Sequence, residues 1–215
     1  MIFVINRENF IRNNSILQSA FIMRHKVAVD HWGWRIPGAG SGLDCDQFDT
    51  PDTIHFVKLN DRQEVIGCAR LNPSTKPHML SEVFAEVCDR DGVPVGDDTF
   101  EFSRFFVDKS AVSRREYIAV GYELLAGIAE WCFDKQIKKL SWYAFQVTYG
   151  LALPLWKTSP LGAPHTHESD ESVYVPAIST IDEDAVVRTK AKANIQDVAY
   201  AHIADIAAEF RRQAA

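Results

Sequence analysis

Thr99-Phe100-Glu101-Phe102-Ser103-Arg104-Phe105-Phe106-Val107 is the stretch on which the fold turns. Its phenylalanines and closing valine give it strand composition, yet its centre holds a carboxylate, a hydroxyl and a guanidinium. A buried strand with these three at its middle needs partners for them from other segments. At strand period, Glu101, Ser103 and Phe105 share one face, and Arg104 shares the other with Phe102 and Phe106. If Glu101 and Arg104 serve one site, the strand must bulge between them.

Upstream, His55–Leu59 and Glu64–Leu71 read as antiparallel strands joined by Asn60-Asp61-Arg62, with Arg70 near the end of the second. Met79–Cys88 reads as a short amphipathic helix with Leu80, Val83, Phe84 and Val87 on one side. Farther back, Ile2–Ile5 is a short strand. Apolar residues then recur at helical spacing from Ser15 to His31, giving one or two helices that carry Arg24. Trp32-Gly33-Trp34 breaks the helix, Pro37–Gly42 is a loop, and the acidic segment Leu43–Asp49 holds Asp44, Asp46 and Asp49.

Downstream, Ser110–Phe133 carries a helical stripe of Ile118, Leu124, Leu125, Ile128, Trp131 and Cys132, with Ser113 and Glu116 at capping-box spacing. Ile137–Phe145 is the next strand. Gln146–Trp156 is helical up to Pro154, a strand lies near Ser172–Val175, and Ile181–Ala214 is largely helical by composition. Mixed elements around one sheet predict a single α/β (α+β) domain over residues 1–215.

The net charge of −6, with no run of lysine and arginine, argues against a nucleic-acid partner. Four scattered cysteines without a Cys-x-x-Cys pair argue against a redox or metal motif and for reduced thiols in the cytoplasm. The apolar start is too short for a signal peptide, and no apolar run approaches a membrane span. The expectation is a soluble cytoplasmic protein with no membrane partner. His165 and His167 lack a third ligand, so no metal site is expected. Cys68 reads as a core strand residue. Lys135, Lys138 and Lys139 read as a solvated helix end that offers a weak dock for an acidic partner.

Four separated pieces then fall into one pattern. Arg24 is followed ten residues later by Trp34, and Asp46-Gln47-Phe48-Asp49 comes next. Arg70 follows in Cys-Ala-Arg-Leu-Asn-Pro-Ser-Thr, and Glu101-Phe102-Ser103-Arg104 closes the series. None is specific alone. In this order over residues 24–104 the chain resembles the acyl-homoserine-lactone synthases, the autoinducer synthases of bacterial quorum sensing; its C-terminal half matches in outline.

The resemblance implies an N-acetyltransferase-like three-layer sandwich, with a single mixed, mostly antiparallel sheet flanked by helices. It implies an enzyme with no cofactor, whose substrates are S-adenosylmethionine and an acyl thioester of acyl carrier protein or coenzyme A. The amine takes the acyl group, and the methionine carboxylate then closes a lactone and expels 5′-methylthioadenosine. Glu101, Ser103 and Arg104 would be catalytic, with Glu101 the general base and Ser103 a donor to the oxyanion. Arg24, Trp34, Asp46, Asp49, Arg70, Phe105 and Phe106 would bind substrate. Ala28 stands where the family carries an aromatic, and Trp32 is the candidate for the missing ring. Clustered, the three arginines would balance Asp46, Asp49 and Glu101, some touching substrate and others positioning those that do. The alternatives are an N-acyltransferase for another amine, whose pyrophosphate loop is not found at Arg114–Gly121, and a non-catalytic ligand-binding relative, disfavoured by the presence of Glu101 and the aspartates.

Overall fold

A computed structural model describes residues 1–36, 39–166, 171–206, 208 and 210. Its first strand shows why the chain forms three layers. Every residue of β1 (Ile2–Ile5) is buried. Ile2 and Val4 join Phe56, Leu124 and Ile128 in one core, whereas Phe3 and Ile5 join Met23, Val27 and Val57 in the other. A continuous apolar run suits a strand covered on both faces.

The remaining strands are β2 (Ile54–Leu59), β3 (Val65–Pro73), β4 (Thr99–Val107), β5 (Lys139–Phe145), β6 (Lys157–Pro160), β7 (His165–Thr166), β8 (Val173–Thr180) and β9 (Tyr200–Ala201). They order β6-β8-β5-β4-β3-β2-β1-β9, with β7 on β8. Among the described residues only β4–β5 and β1–β9 pair in parallel. α1 (Asn14–His25) continues into a π-helical turn, Lys26–His31, and packs on one face. α2 (Met79–Glu82) covers the same face beside β4. α3 (Arg114–Asp134), α4 (Gln146–Ala152) and α5 (Glu183–Ala193) cover the other. The single, mostly antiparallel sheet flanked by helices is the architecture expected.

Several local expectations are corrected. α3 starts at Arg114 because Ser113 is its cap: Ser113 Oγ accepts the Glu116 N–H at 3.3 Å, and Glu116 returns the bond at 2.8 Å. Ile118 is 53% exposed; it lies two residues, about 200°, from Val120 of the stripe Val120, Leu124, Ile128. The Met79–Cys88 helix stops at Glu82, and a 3₁₀ turn follows at Ala85–Val87. Leu80, Val87 and Cys88 turn instead into a small core with Leu161. Of the expected C-terminal helix, Glu183–Ala193 forms; Asn194 ends it at φ 56°, the chain adds β9 beside β1, and Ile206, Ala208 and Phe210 are helical again. Pro37, Gly38, His167 and the last five residues lie outside the described residues.

Gly162 marks a tight approach. A Cβ there would overlap the Val87 carbonyl oxygen, which no rotamer change can relieve. Gly162→Ala should cost about 1–3 kcal/mol, lowering Tm by roughly 2–12 °C for a chain of this size. Gly150→Ala, with nothing within 4 Å of the new methyl, should show no loss in the same thermal melts.

Candidate active site

β4 carries the bulge that its sequence demands. Arg70 pairs with Ser103 and Cys68 with Phe106, so two steps on β3 face three on β4, and Arg104 has φ 53°. The extra residue turns Arg104 onto the face of Glu101 and Ser103. It also corrects the face assignment beyond it. Phe105 goes to the α3 side, 5.6 Å between centroids from Phe102, while Phe106 joins the polar side beneath Trp32 and Trp34. A left-handed arginine costs on the order of 1–3 kcal/mol, so its surroundings must hold it there.

Those surroundings are ion pairs. Arg24 meets Asp49 with both terminal nitrogens, at 2.8 and 3.0 Å, and Asp44 with Nε at 3.2 Å. Arg70 reaches Asp46 at 2.6 Å, Asp49 at 3.1 Å and Ser103 Oγ at 3.1 Å. Arg104 Nη2 donates to Asp46 at 2.9 Å and Asp44 at 3.1 Å. Its Nε lies 2.8 Å from Asp44 Oδ2 but off the N–H axis, a Coulombic contact only. The Met79 sulfur touches both Arg70 and Arg104. Arg24, Arg70, Asp46 and Asp49, expected near β4, are therefore brought together with it.

Glu101 completes the group at 2% exposure. Its Oε1 accepts the Leu80 N–H at 2.7 Å, and its Oε2 accepts Ser103 Oγ at 3.2 Å. Burial pushes the carboxyl up, but the adjacent His78 ring, the Arg70 guanidinium and the Leu80 N–H outweigh it and hold it below the usual glutamate value. His78 Nδ1 is 3.7 Å from Glu101 and accepts the Ser81 N–H at 3.2 Å as the cap of α2.

Next to Glu101 the sheet opens. β4 and β5 pair only from Thr99–Lys139 to Glu101–Ser141; beyond that, β5 pairs with β8 alone. On the polar face the gap is roofed by aromatics. Trp32 sits 5.0 Å from Trp34, 5.1 Å from Phe106 of β4 and 5.6 Å from Phe145 of β5. Ala28 is buried in the same cluster, against which Trp32 and Trp34 pack.

Asp44, Met79, His78 and His55 were not among the sequence candidates. Asp44 had a signal, the alternation Asp44-Cys45-Asp46; the others had none. His55 lies opposite Arg70 on β2. Burial, with Arg24 and Arg70 close by and Asp49 opposing them, pushes its pKa down to about 3. The unfolded imidazole titrates near 6.5, so between about 6.5 and 3 the unfolded chain binds the proton and the native chain does not. Stability therefore falls as pH drops through that window. The loss should reach about 2 kcal/mol at pH 5, and His55→Gln should flatten it in urea titrations. Cys68, pushed up to about 12 by burial, stays a thiol.

A putative N-acetyltransferase from Lactobacillus plantarum shares this fold at TM-score 0.56 and 14% identity, over 84% of this chain and 99% of that one. The chain belongs to the autoinducer synthase family, whose model matches residues 8–184. It is 33% identical over 141 residues to the isovaleryl-homoserine lactone synthase of Bradyrhizobium diazoefficiens, covering 66% of this chain and 62% of that one. An acyl-homoserine-lactone synthase of Ralstonia nicotianae is 39% identical over 93 residues, 42% of this chain and 45% of that one. The matches thus span less than two thirds of these relatives' lengths. The solved structure of the coenzyme-A-dependent synthase BjaI with S-adenosylmethionine and isopentyl-CoA superposes at TM-score 0.84, with 26% identity and 99% of each chain covered.

Proposed function

We propose that this chain is an acyl-homoserine-lactone synthase, acting as one domain over residues 1–215 in the cytoplasm with no cofactor beyond its substrates. It transfers an acyl group from a thioester of coenzyme A or acyl carrier protein to the amine of S-adenosylmethionine. The nitrogen attacks the thioester carbon, the C–S bond breaks, and the thiolate leaves with the proton. The methionine carboxylate then attacks the carbon beside the sulfonium, closing the lactone and releasing 5′-methylthioadenosine. Among the described residues no helix is long and apolar enough to cross a membrane.

The observation that carries this reading is a charge count. Arg24, Arg70 and Arg104 supply three positive charges, and Asp44, Asp46, Asp49 and Glu101 supply four negative ones, leaving one net negative charge. S-adenosylmethionine, with an ammonium, a sulfonium and a carboxylate, carries one net positive charge. Asp46 and Arg104, the most accessible of the six paired side chains at 16% and 7%, meet its cationic and anionic ends. Arg24, Asp49 and Arg70 hold those two in place. Trp34, Trp32 and Phe106 flank the nucleotide, while Phe105 backs the acyl side. Glu101, held by the Ser103 hydroxyl, takes the amine proton, and β4 backbone N–H groups past the end of pairing receive the oxyanion.

Mass spectrometry of culture extract from a host expressing the chain should detect an acyl-homoserine lactone. Absence of any lactone there, and from purified chain given a panel of acyl thioesters, overturns the reading.

A further inference from the structure

The gap between β4 and β5 has two chemically different sides. Asp46 and Arg104 line one, where an apolar tail would strip water and partners from charges. The α3 side is apolar, bounded by Phe102, Phe105, Trp142, Tyr149 and Trp156. Trp156 is 2% exposed, and its indole N–H donates to Thr189 Oγ1 at 3.0 Å. Its ring meets Phe102 at 6.1 Å between centroids. Beyond the neighbouring Leu155, a groove of about 520 Å³ between α3, α4 and α5 opens to solvent, lined by Tyr122, Leu151, Pro154 and Lys192.

We propose that Trp156, pinned by Thr189 and backed by Phe102, is the end wall of the acyl pocket and restricts this chain to acyl groups of a few carbons. This rests on the synthase reading above. Chemistry at Glu101 puts the thioester carbon where β4 and β5 part, and the tail must leave toward the apolar side. Phe102 follows Glu101 directly, about 3.3 Å farther along the strand, so the wall stands close to the reacting carbon. A longer tail has to displace a hydrogen-bonded, close-packed indole.

The test uses the purified full chain, S-adenosylmethionine, and butanoyl, isovaleryl, hexanoyl, octanoyl and decanoyl thioesters of both coenzyme A and acyl carrier protein, with lactones quantified by mass spectrometry. kcat/KM should peak at butanoyl or isovaleryl and fall at least about tenfold for each methylene past the fit, since one methylene in an apolar pocket is worth roughly 10- to 200-fold. Trp156→Leu and Trp156→Phe should move the optimum to longer donors with the KM for S-adenosylmethionine unchanged, and Phe102→Leu should do the same by thinning the backing. A wild type that uses octanoyl as well as butanoyl donors overturns the proposal. So do folded variants at both positions that keep the wild-type preference. No lactone from any donor overturns the synthase reading itself.

Discussion

Glu101→Gln should lower kcat/KM for lactone formation on the order of 10²- to 10⁴-fold while leaving the fold intact. The amide retains an oxygen for the Leu80 N–H, now bonded at 2.7 Å, so α2 keeps its anchor on β4. What it loses is the ability to accept a proton. A free α-amine titrates near 8 and glutamate near 4.3, and Glu101 is held lower still. Complete transfer from the ammonium is therefore uphill by more than about 4 kcal/mol. An ammonium has no lone pair, so its first proton goes to solvent before attack, and Glu101 takes the second as the C–N bond forms and the nitrogen becomes strongly acidic. Placement then counts for more than basicity, which explains a carboxylate fixed by Leu80 and Ser103 instead of one with a raised pKa. Parallel thermal melts should agree within a few degrees, about 1 kcal/mol for a chain of this size. A folded variant with near-normal kcat would take Glu101 out of the base role.

The partners of β4 were legible because charge inside an apolar strand is conspicuous. Glu101, Ser103 and Arg104 had to find counter-charges, and Arg24, Asp46, Asp49 and Arg70 are the groups they found. Asp44 stayed hidden because three aspartates in one loop read as a solvated segment, and only the folded loop reveals that all three turn inward. The bulge was legible as a need, but its placement was not. The two faces exchange at Arg104, so Phe105 and Phe106 trade sides. Edge strands resisted reading for another reason. β9 has two residues and β6 four, too short for period-two alternation to register, and alanine-rich composition after Ile181 favours helix until pairing with β1 overrides it.

Arg24→Met should destabilise the chain by about 3–5 kcal/mol, a fall in Tm of roughly 6–20 °C. Methionine has nearly the length of the arginine stem, so little cavity opens and the cost is mainly electrostatic. Arg24 is 1% exposed, and its loss raises the cluster's net charge from one negative to two. Asp44 keeps Arg104 and Asp49 keeps Arg70 at 3.1 Å, which places the cost below that of an isolated buried carboxylate. The origin has a pH signature. Burial alone would raise the Asp49 pKa; Arg24 and Arg70 hold it well below the usual carboxylate range. A depressed native pKa adds stability that is present above the unfolded value, about 3.9, and is lost as pH falls below it. Without Arg24, Asp49 protonates more readily, so the gap between wild type and variant should narrow as pH falls below about 4. A packing defect would leave that gap constant. Salt should change it little, because buried pairs are weakly screened. The double change Arg24→Met with Asp49→Asn should recover part of the loss, the coupling expected of a contacting pair. A penalty below about 1 kcal/mol, or one independent of pH, would show that Arg70 and Arg104 alone sustain the cluster.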